Sequence, residues 1–373
     1  MTHWSKVLAL LVLVGCSGET PEASPTPTVE PATPTVIPEV IPNLAGPFPY
    51  EKLSDYGFFR SPMKTLEPGR GVYGYEVISP LYSDHALKRR FIVLPEGQKI
   101  GFTEDERWSF PDKTILVKNF AFAKDMRDPS LGEQLIETRL LILENGVWTA
   151  HTYRWNEEQT EATNLVAGAF LTLSYVDMAG LPVEQLYQIP NTVQCKNCHG
   201  SYDVLGPIGA RTRQLNRMVE DEAGQELHQL EWLAGEGVFS EPLPAVASLP
   251  ALASPAGQES LDRRARSYLE SNCAHCHQPG GAGGPSGLVL TTDETVPMTY
   301  GICKPPVAAG PASAGLHYDI VPGSPDESIM VYRISSSEPQ IKMPELGNLT
   351  VDPNGLQLIR DWISAMEPPG CPQ

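Results

Sequence analysis

Cys195-Lys196-Asn197-Cys198-His199 returns further along the chain as Cys273-Ala274-His275-Cys276-His277. Two thiols three residues apart can reach the two vinyl groups on one edge of a porphyrin, and the His that follows directly can rise beneath the ring as an iron ligand. This is the attachment pattern of c-type haem. Its two copies predict two covalently bound haem c groups on Cys195, Cys198, Cys273 and Cys276, with His199 and His277 as the proximal ligands. A zinc ribbon or a redox dithiol uses the same Cys-x-x-Cys spacing, but neither needs a His in that place.

Working outward from the second copy, Leu261, Ala265, Tyr268 and Leu269 recur at helical spacing just before Cys273. Near the chain end Asp352 can cap a helix that starts at Pro353, with Leu356, Ile359, Trp362, Ile363 and Met366 on its apolar face and Pro368-Pro369 as its stop. A helix entering the haem motif and a helix closing the chain form the framework of class I cytochromes c. Residues 256–373 are therefore expected to form a C-terminal class I cytochrome c-like α domain, with 280–340 mostly loop because of its Gly and Pro content. Met298, Met330, Met343 and Met366 lie within reach of the second haem in sequence. Met366 falls on the core face of the last helix and Met330 in the strand-like run Ser328 to Ile334, so both read as packing. Met343, in the loop Ile341-Lys342-Met343-Pro344, is the expected distal ligand, with His317 as the alternative.

Upstream, residues 191–255 read as a first, small helical haem module with helical stretches at Arg211 to Glu220 and Glu222 to Gly235. Its distal ligand is left open between Met218 and His228, a β-domain residue such as Met63 or Met178, and an open iron. Residues 46–190 carry strand patterns at Gly71 to Ile78, Arg90 to Leu94, Thr114 to Ala123 and Glu137 to Trp155, the last broken by Asn145-Gly146, a strong hairpin signal. They read as an antiparallel β domain of sandwich type, in which His85 and His151 are read as structural. The expected fold is thus multidomain α+β.

The amino terminus is of another kind. Lys6, the apolar run Val7 to Val14 and the lipobox Leu13-Val14-Gly15-Cys16 read as a lipoprotein signal peptide over 1–15, cleaved to leave lipid on Cys16. The run is too short for a bilayer core of about 30 Å. Residues 16–45 then read as a Pro/Thr-rich tether, which places the protein outside the cytoplasm, anchored to a membrane and facing the periplasm or cell exterior. Of seven cysteines only Cys303 and Cys371 remain, and in an exported chain they are expected to be bridged. The formal charge of −18 excludes nucleic acid as a natural partner and suits docking to a basic redox protein.

The runs Leu53-Ser54-Asp55-Tyr56-Gly57-Phe58-Phe59, Ser61-Pro62-Met63-Lys64, Tyr75-Glu76-Val77-Ile78-Ser79-Pro80-Leu81-Tyr82-Ser83-Asp84-His85-Ala86, Gly301-Ile302-Cys303-Lys304-Pro305-Pro306 and Met343-Pro344-Glu345-Leu346-Gly347 resemble a bacterial family of exported di-haem c-type cytochromes of unassigned function. The resemblance covers roughly residues 50 to 373. It implies haem at both motifs, supports Cys303 and Cys371 as a pair, and implies a neighbouring parallel β-helix protein as a candidate partner. The leading expectation is a lipid-anchored electron-transfer protein serving an extracytoplasmic redox partner. A di-haem peroxidase-like enzyme with an open first haem, and a haem-containing ligand-binding or sensing module, are the two alternatives; fold alone does not choose among them.

Overall fold

The computed structural model describes residues 39–371 apart from 105, 106, 203, 222 and 308. The signal peptide, the lipobox with Cys16 and most of the tether lie outside the described residues. From Glu39 onward the chain forms one compact unit.

Its centre is a six-stranded antiparallel meander of β1 (Val72–Tyr75), β2 (Leu87–Val93), β3 (Ile115–Ala123), β4 (Glu133–Glu144), β5 (Val147–Trp155) and β6 (Ala162–Asn164), in that spatial order. Asn145 and Gly146 turn β4 into β5 with φ of 54° and 74°, the pair of positive values that a two-residue hairpin loop of this hand requires. A second hairpin, β7 (Ala169–Val176) and β8 (Pro182–Ile189), stands apart from the meander as its own two-stranded sheet.

One face of the meander presents Phe91, Val93, Ile115, Val117, Leu140, Ile142, Tyr153 and Trp155, and the segment carrying Leu53, Tyr56, Phe58 and Phe59 covers it. The Tyr56 and Tyr153 hydroxyls meet at 2.8 Å, and Tyr153 donates onward to the Tyr50 carbonyl at 2.6 Å. The opposite face is covered at its two ends only by different elements. Ile92 and Leu116 pack with Trp108, Leu230, Leu233 and Phe239, while Phe120, Phe122 and Ile136 pack beneath the β7–β8 hairpin with Tyr175 and Tyr187. The β region is therefore not a sandwich. Alternation along a strand shows that a sheet has two faces, but not what covers each.

The helices are short. They are α1 (Cys195–His199), α2 (Thr212–Leu215), α3 (Gln229–Gly235), α4 (Leu261–Leu269), α5 (Ile329–Ile334) and α6 (Pro353–Ser364). Two-stranded ribbons of β9 (Gly200–Ser201) with β10 (Val204–Leu205), and of β11 (Met218–Glu220) with β12 (Glu226–His228), replace most of the helix expected after the first motif. Asp352 does cap α6, its carboxylate accepting from the Asn354 and Gly355 N–H groups. Together α4 and α6 enclose a core of Ala265, Leu269, Tyr300, Leu358, Ile359, Trp362 and Ile363.

This C-terminal part is not a class I cytochrome c α domain, and the multidomain α+β reading is overturned with it. Among the described residues, a π-helical turn at Glu270–Ala274 continues α4, and beyond it the Gly- and Pro-rich chain forms only the six-residue α5 and isolated 3₁₀ turns before α6. The tail is moreover joined to the β region as one body. Asn272 accepts from the Tyr82 N–H at 2.7 Å, the Ser79 hydroxyl donates to the Ser267 carbonyl at 3.1 Å, and buried Asp84 accepts from the Leu349 and Thr350 N–H groups and the Thr350 hydroxyl at 2.8 to 2.9 Å. Two amphipathic helices at the ends of a segment are compatible with a cytochrome framework without specifying it.

Candidate functional site

The two Cys-x-x-Cys-His motifs meet. The Tyr202 N–H, three residues past His199, donates to the Gly280 carbonyl, three past His277, at 3.0 Å. Gly280 has φ +78°, and a Cβ there would lie 2.5 Å from the Tyr202 ring, so the close approach requires glycine. The Cys276 thiol donates to the Asn197 carbonyl at 3.2 Å, and its sulfur lies close to that of Cys198. With His275, these two sulfurs place three ligand atoms within 4.8 Å of one another.

The neighbouring Cys276 and His275 hold Cys198 down to about 4, while Cys276, beside that thiolate, is raised. The other two thiols point elsewhere. Cys273 lines a cavity on its own side and is pushed up to about 12 by burial. Cys195 is raised by burial, with the Arg139 guanidinium acting against that rise and the Glu137 carboxylate adding to it.

Each motif His is oriented through its Nδ1. His199 Nδ1 lies 3.1 Å from the Gly206 carbonyl, an acceptor only, so Nδ1 carries the proton and Nε2 keeps its lone pair. His277 Nδ1 lies 3.1 Å from the Ser286 Oγ, whose own proton goes to the Gly283 carbonyl at 2.6 Å, which leaves His277 as the donor here too. This is the outer-shell arrangement by which a metal-bound imidazole is fixed. Burial holds both residues down to about 4, hence neutral and ligand-competent at physiological pH.

His277 and Cys273 open onto a cleft that is partly open to solvent. Leu269, Leu288, Leu290 and Ile329 give it apolar walls, and Met330 and Met343 both reach it. Met343 is set by its loop: its N–H donates to the Arg333 carbonyl at 3.0 Å, and the buried Lys342 ammonium donates to the Pro344, Glu345 and Asn348 carbonyls at 2.6 to 3.0 Å. Met330 belongs to α5, not to a strand. His317 is exposed and is not among the residues lining the cleft. One thiol, Cys273, the tautomer-fixed imidazole of His277 and the Met343 sulfur border one apolar space, a donor set that suits a haem, while Cys276 is turned toward Cys198 and Asn197.

Neither a family model, nor a curated protein, nor a solved structure matches this chain. What the chain can do is read from its own geometry.

At the first motif the surroundings are more polar. The charges that act on His199 are those of Cys198, Lys118 and His275. Met218 and His228 face one another across the β11–β12 ribbon, ahead of α3, whose Leu230 and Leu233 enter the core around Trp108. Met218 is 49% exposed there. Met178 is exposed in the β7–β8 turn and Met63 packs against the covered face of the meander. His85 bonds the Tyr82 hydroxyl at 3.1 Å and His151 the Thr149 hydroxyl at 3.0 Å. Cys303 and Cys371 are joined as a disulfide, which ties the chain end to the loop behind the cleft.

Sequence reasoning missed Gly206, Ser286, Lys342 and Asp84, the residues that orient the ligands and their loop. It also missed the cations Lys88, Arg90, Lys118 and Arg139, of which only Lys88 and Arg90, two apart in one strand, carried a signal.

Proposed function

We propose that this chain is an exported, lipid-anchored di-haem c-type cytochrome that passes electrons between two adjoining haems and an extracytoplasmic redox partner. The contact of Cys198 with Cys276 carries this reading, because it brings the attachment edges of the two sites together. When bound, a haem c at each motif supplies a one-electron couple at its iron. The protein's part is positional. His199 and His277 offer Nε2 lone pairs, Met343 closes the second site, and the Tyr202–Gly280 bond holds the two motifs in register. The acidic balance of the chain suits a basic partner, and the family resemblance offers a parallel β-helix protein as a candidate for it.

A second reading is favoured by Cys198, His275 and Cys276 themselves, three groups of the kind that bind zinc or another soft metal ion. It leaves the orientation of His199 and His277 and the apolar cleft beside Cys273 without a use, which is why haem is preferred. The function is tested by delivering less than one electron per chain in a fast pulse and following both haem spectra. Concentration-independent equilibration between them is expected; exchange that scales with protein concentration, or only one redox-active haem, would contradict it.

A further inference from the structure

Arg90 in β2, Lys118 in β3 and Arg139 in β4 are direct cross-strand neighbours on one face of the meander, and Lys88 stands two residues from Arg90, opposite Phe120. Like charges in direct register repel, so such a row needs compensation. The carboxylates near them are already engaged: Glu137 takes both Arg139 Nε and Nη2, at 2.8 and 2.5 Å, and accepts from the Tyr187 hydroxyl at 2.6 Å, while Asp84 and Asp352, whose charges reach Lys88, accept from the N–H groups of Leu349 and Thr350 and of Asn354 and Gly355. Glu76, whose charge reaches Arg90, is ion-paired with Arg217 at 3.1 Å. Lys88 donates to the Ala86 carbonyl at 3.0 Å, and Lys118 lies over the Phe120 ring at 5.0 Å. Among the described residues, Lys88, Arg90 and Lys118 form no ion pair. Burial and mutual repulsion hold Lys88 down to about 7 and Lys118 well below its ordinary value.

This row is central on the face whose two ends are occupied by apolar cores, and its charges reach the first Cys-x-x-Cys-His motif. Arg139 acts on Cys195, and Lys118 on His199. From Arg139 to Arg90 is two strand spacings, roughly 10 Å, leading away from the attachment cysteine. A porphyrin held by thioethers on one edge carries its two propionates on the opposite edge. Resting on the di-haem reading, we propose that Arg90 and Lys118, assisted by Lys88, form a carboxylate dock for the propionates of the haem on Cys195 and Cys198. Two propionates would compensate the row, and the Arg90 guanidinium is suited to a bidentate grip on one of them.

The test uses the full chain with its haems attached. Peptide masses first establish haem on the Cys195 peptide; its absence overturns the dock together with the di-haem reading. Spectroelectrochemistry then compares the unaltered protein with the double variant Arg90→Gln/Lys118→Gln, the second haem's wave being identified as the one that Met343→Ala displaces. The other wave is expected to move to lower potential in the Gln variant, because unpaired propionates favour the ferric state, and to keep its position in Arg90→Lys/Lys118→Arg. An unchanged wave with two haems attached overturns the dock and leaves the di-haem reading intact. A wave that shifts with added acetate in the unaltered protein also overturns it, since a soluble carboxylate would then be the occupant. If the Gln variant does not fold, resonance Raman of the unaltered protein decides. Strongly hydrogen-bonded propionate bending modes for the first haem support the dock, and free ones overturn it.

Discussion

The sulfur of Cys198 lies within 4.8 Å of the sulfur of Cys276, although each cysteine belongs to a separate motif with its own His. Around that contact the chain is built for close approach, as the backbone bond from Tyr202 to Gly280 shows.

Gly280→Ala should therefore separate the motifs. The added Cβ would meet the Tyr202 ring at 2.5 Å, and its left-handed backbone disfavours any L side chain. A loss of about 1–2 kcal/mol is expected from the backbone alone. Thermal denaturation of Gly280→Ala with and without Tyr202→Ala separates the two effects, since only the clash is relieved by the second change.

Met343→Ala should abolish the weak near-infrared sulfur-to-iron band of the oxidised protein and lower one reduction potential while both haems stay attached. Met330→Leu, on the same cleft, should do neither. Retention of the band in Met343→Ala with its loss in Met330→Leu would transfer the ligand role to α5.

Carbon monoxide reports on the first site, where Lys118, Cys198 and His275 reach His199 and the distal ligand is unassigned. For an electron carrier with two saturated irons the reduced protein should bind none. One equivalent per chain, retained in Met343→Ala, would favour a peroxidase-like activity instead, to be checked by peroxide turnover with a reduced cytochrome as donor.

Acid should separate iron-bearing from iron-free chain. In the iron-free chain burial holds His199 and His277 down to about 4 against an ordinary 6.5, and a form with the four motif cysteines changed to Ser keeps that burial. Between those values the unfolded chain takes up protons that the folded chain refuses, so stability falls as pH falls through the window. The penalty is absent above 6.5 and complete below 4, at most about 3 kcal/mol per imidazole. Iron on Nε2 removes it, so the haem-bearing protein should lose less stability between about pH 7 and pH 4.5. Equal losses in denaturant midpoints would contradict this.

Much of the sheet was legible because its residues alternate with a period of two and because Asn145-Gly146 requires a turn. Helix α6 was legible through Asp352 and Pro353, whose capping chemistry is local. Ser328 to Ile334 was misread as strand-like, since a short apolar run fits either structure, and residues 329–334 are helical. The meeting of the two motifs was not legible. It depends on a backbone bond between Tyr202 and Gly280, to which no side-chain pattern points. Asp84 and Lys342 were hidden for a related reason: each serves backbone groups of a loop, and nothing in a carboxylate or ammonium names such partners in advance.

Both motifs are held to carry covalent haem, and proteolytic peptide mapping by mass spectrometry tests this most directly. On protein exported from a host that matures c-type cytochromes, the peptides with Cys195 and Cys198, and with Cys273 and Cys276, should each carry one haem mass that survives denaturation. Unmodified peptides, with a metal ion released from the native protein by a chelator, would contradict the account and assign Cys198, His275 and Cys276 to a metal site instead.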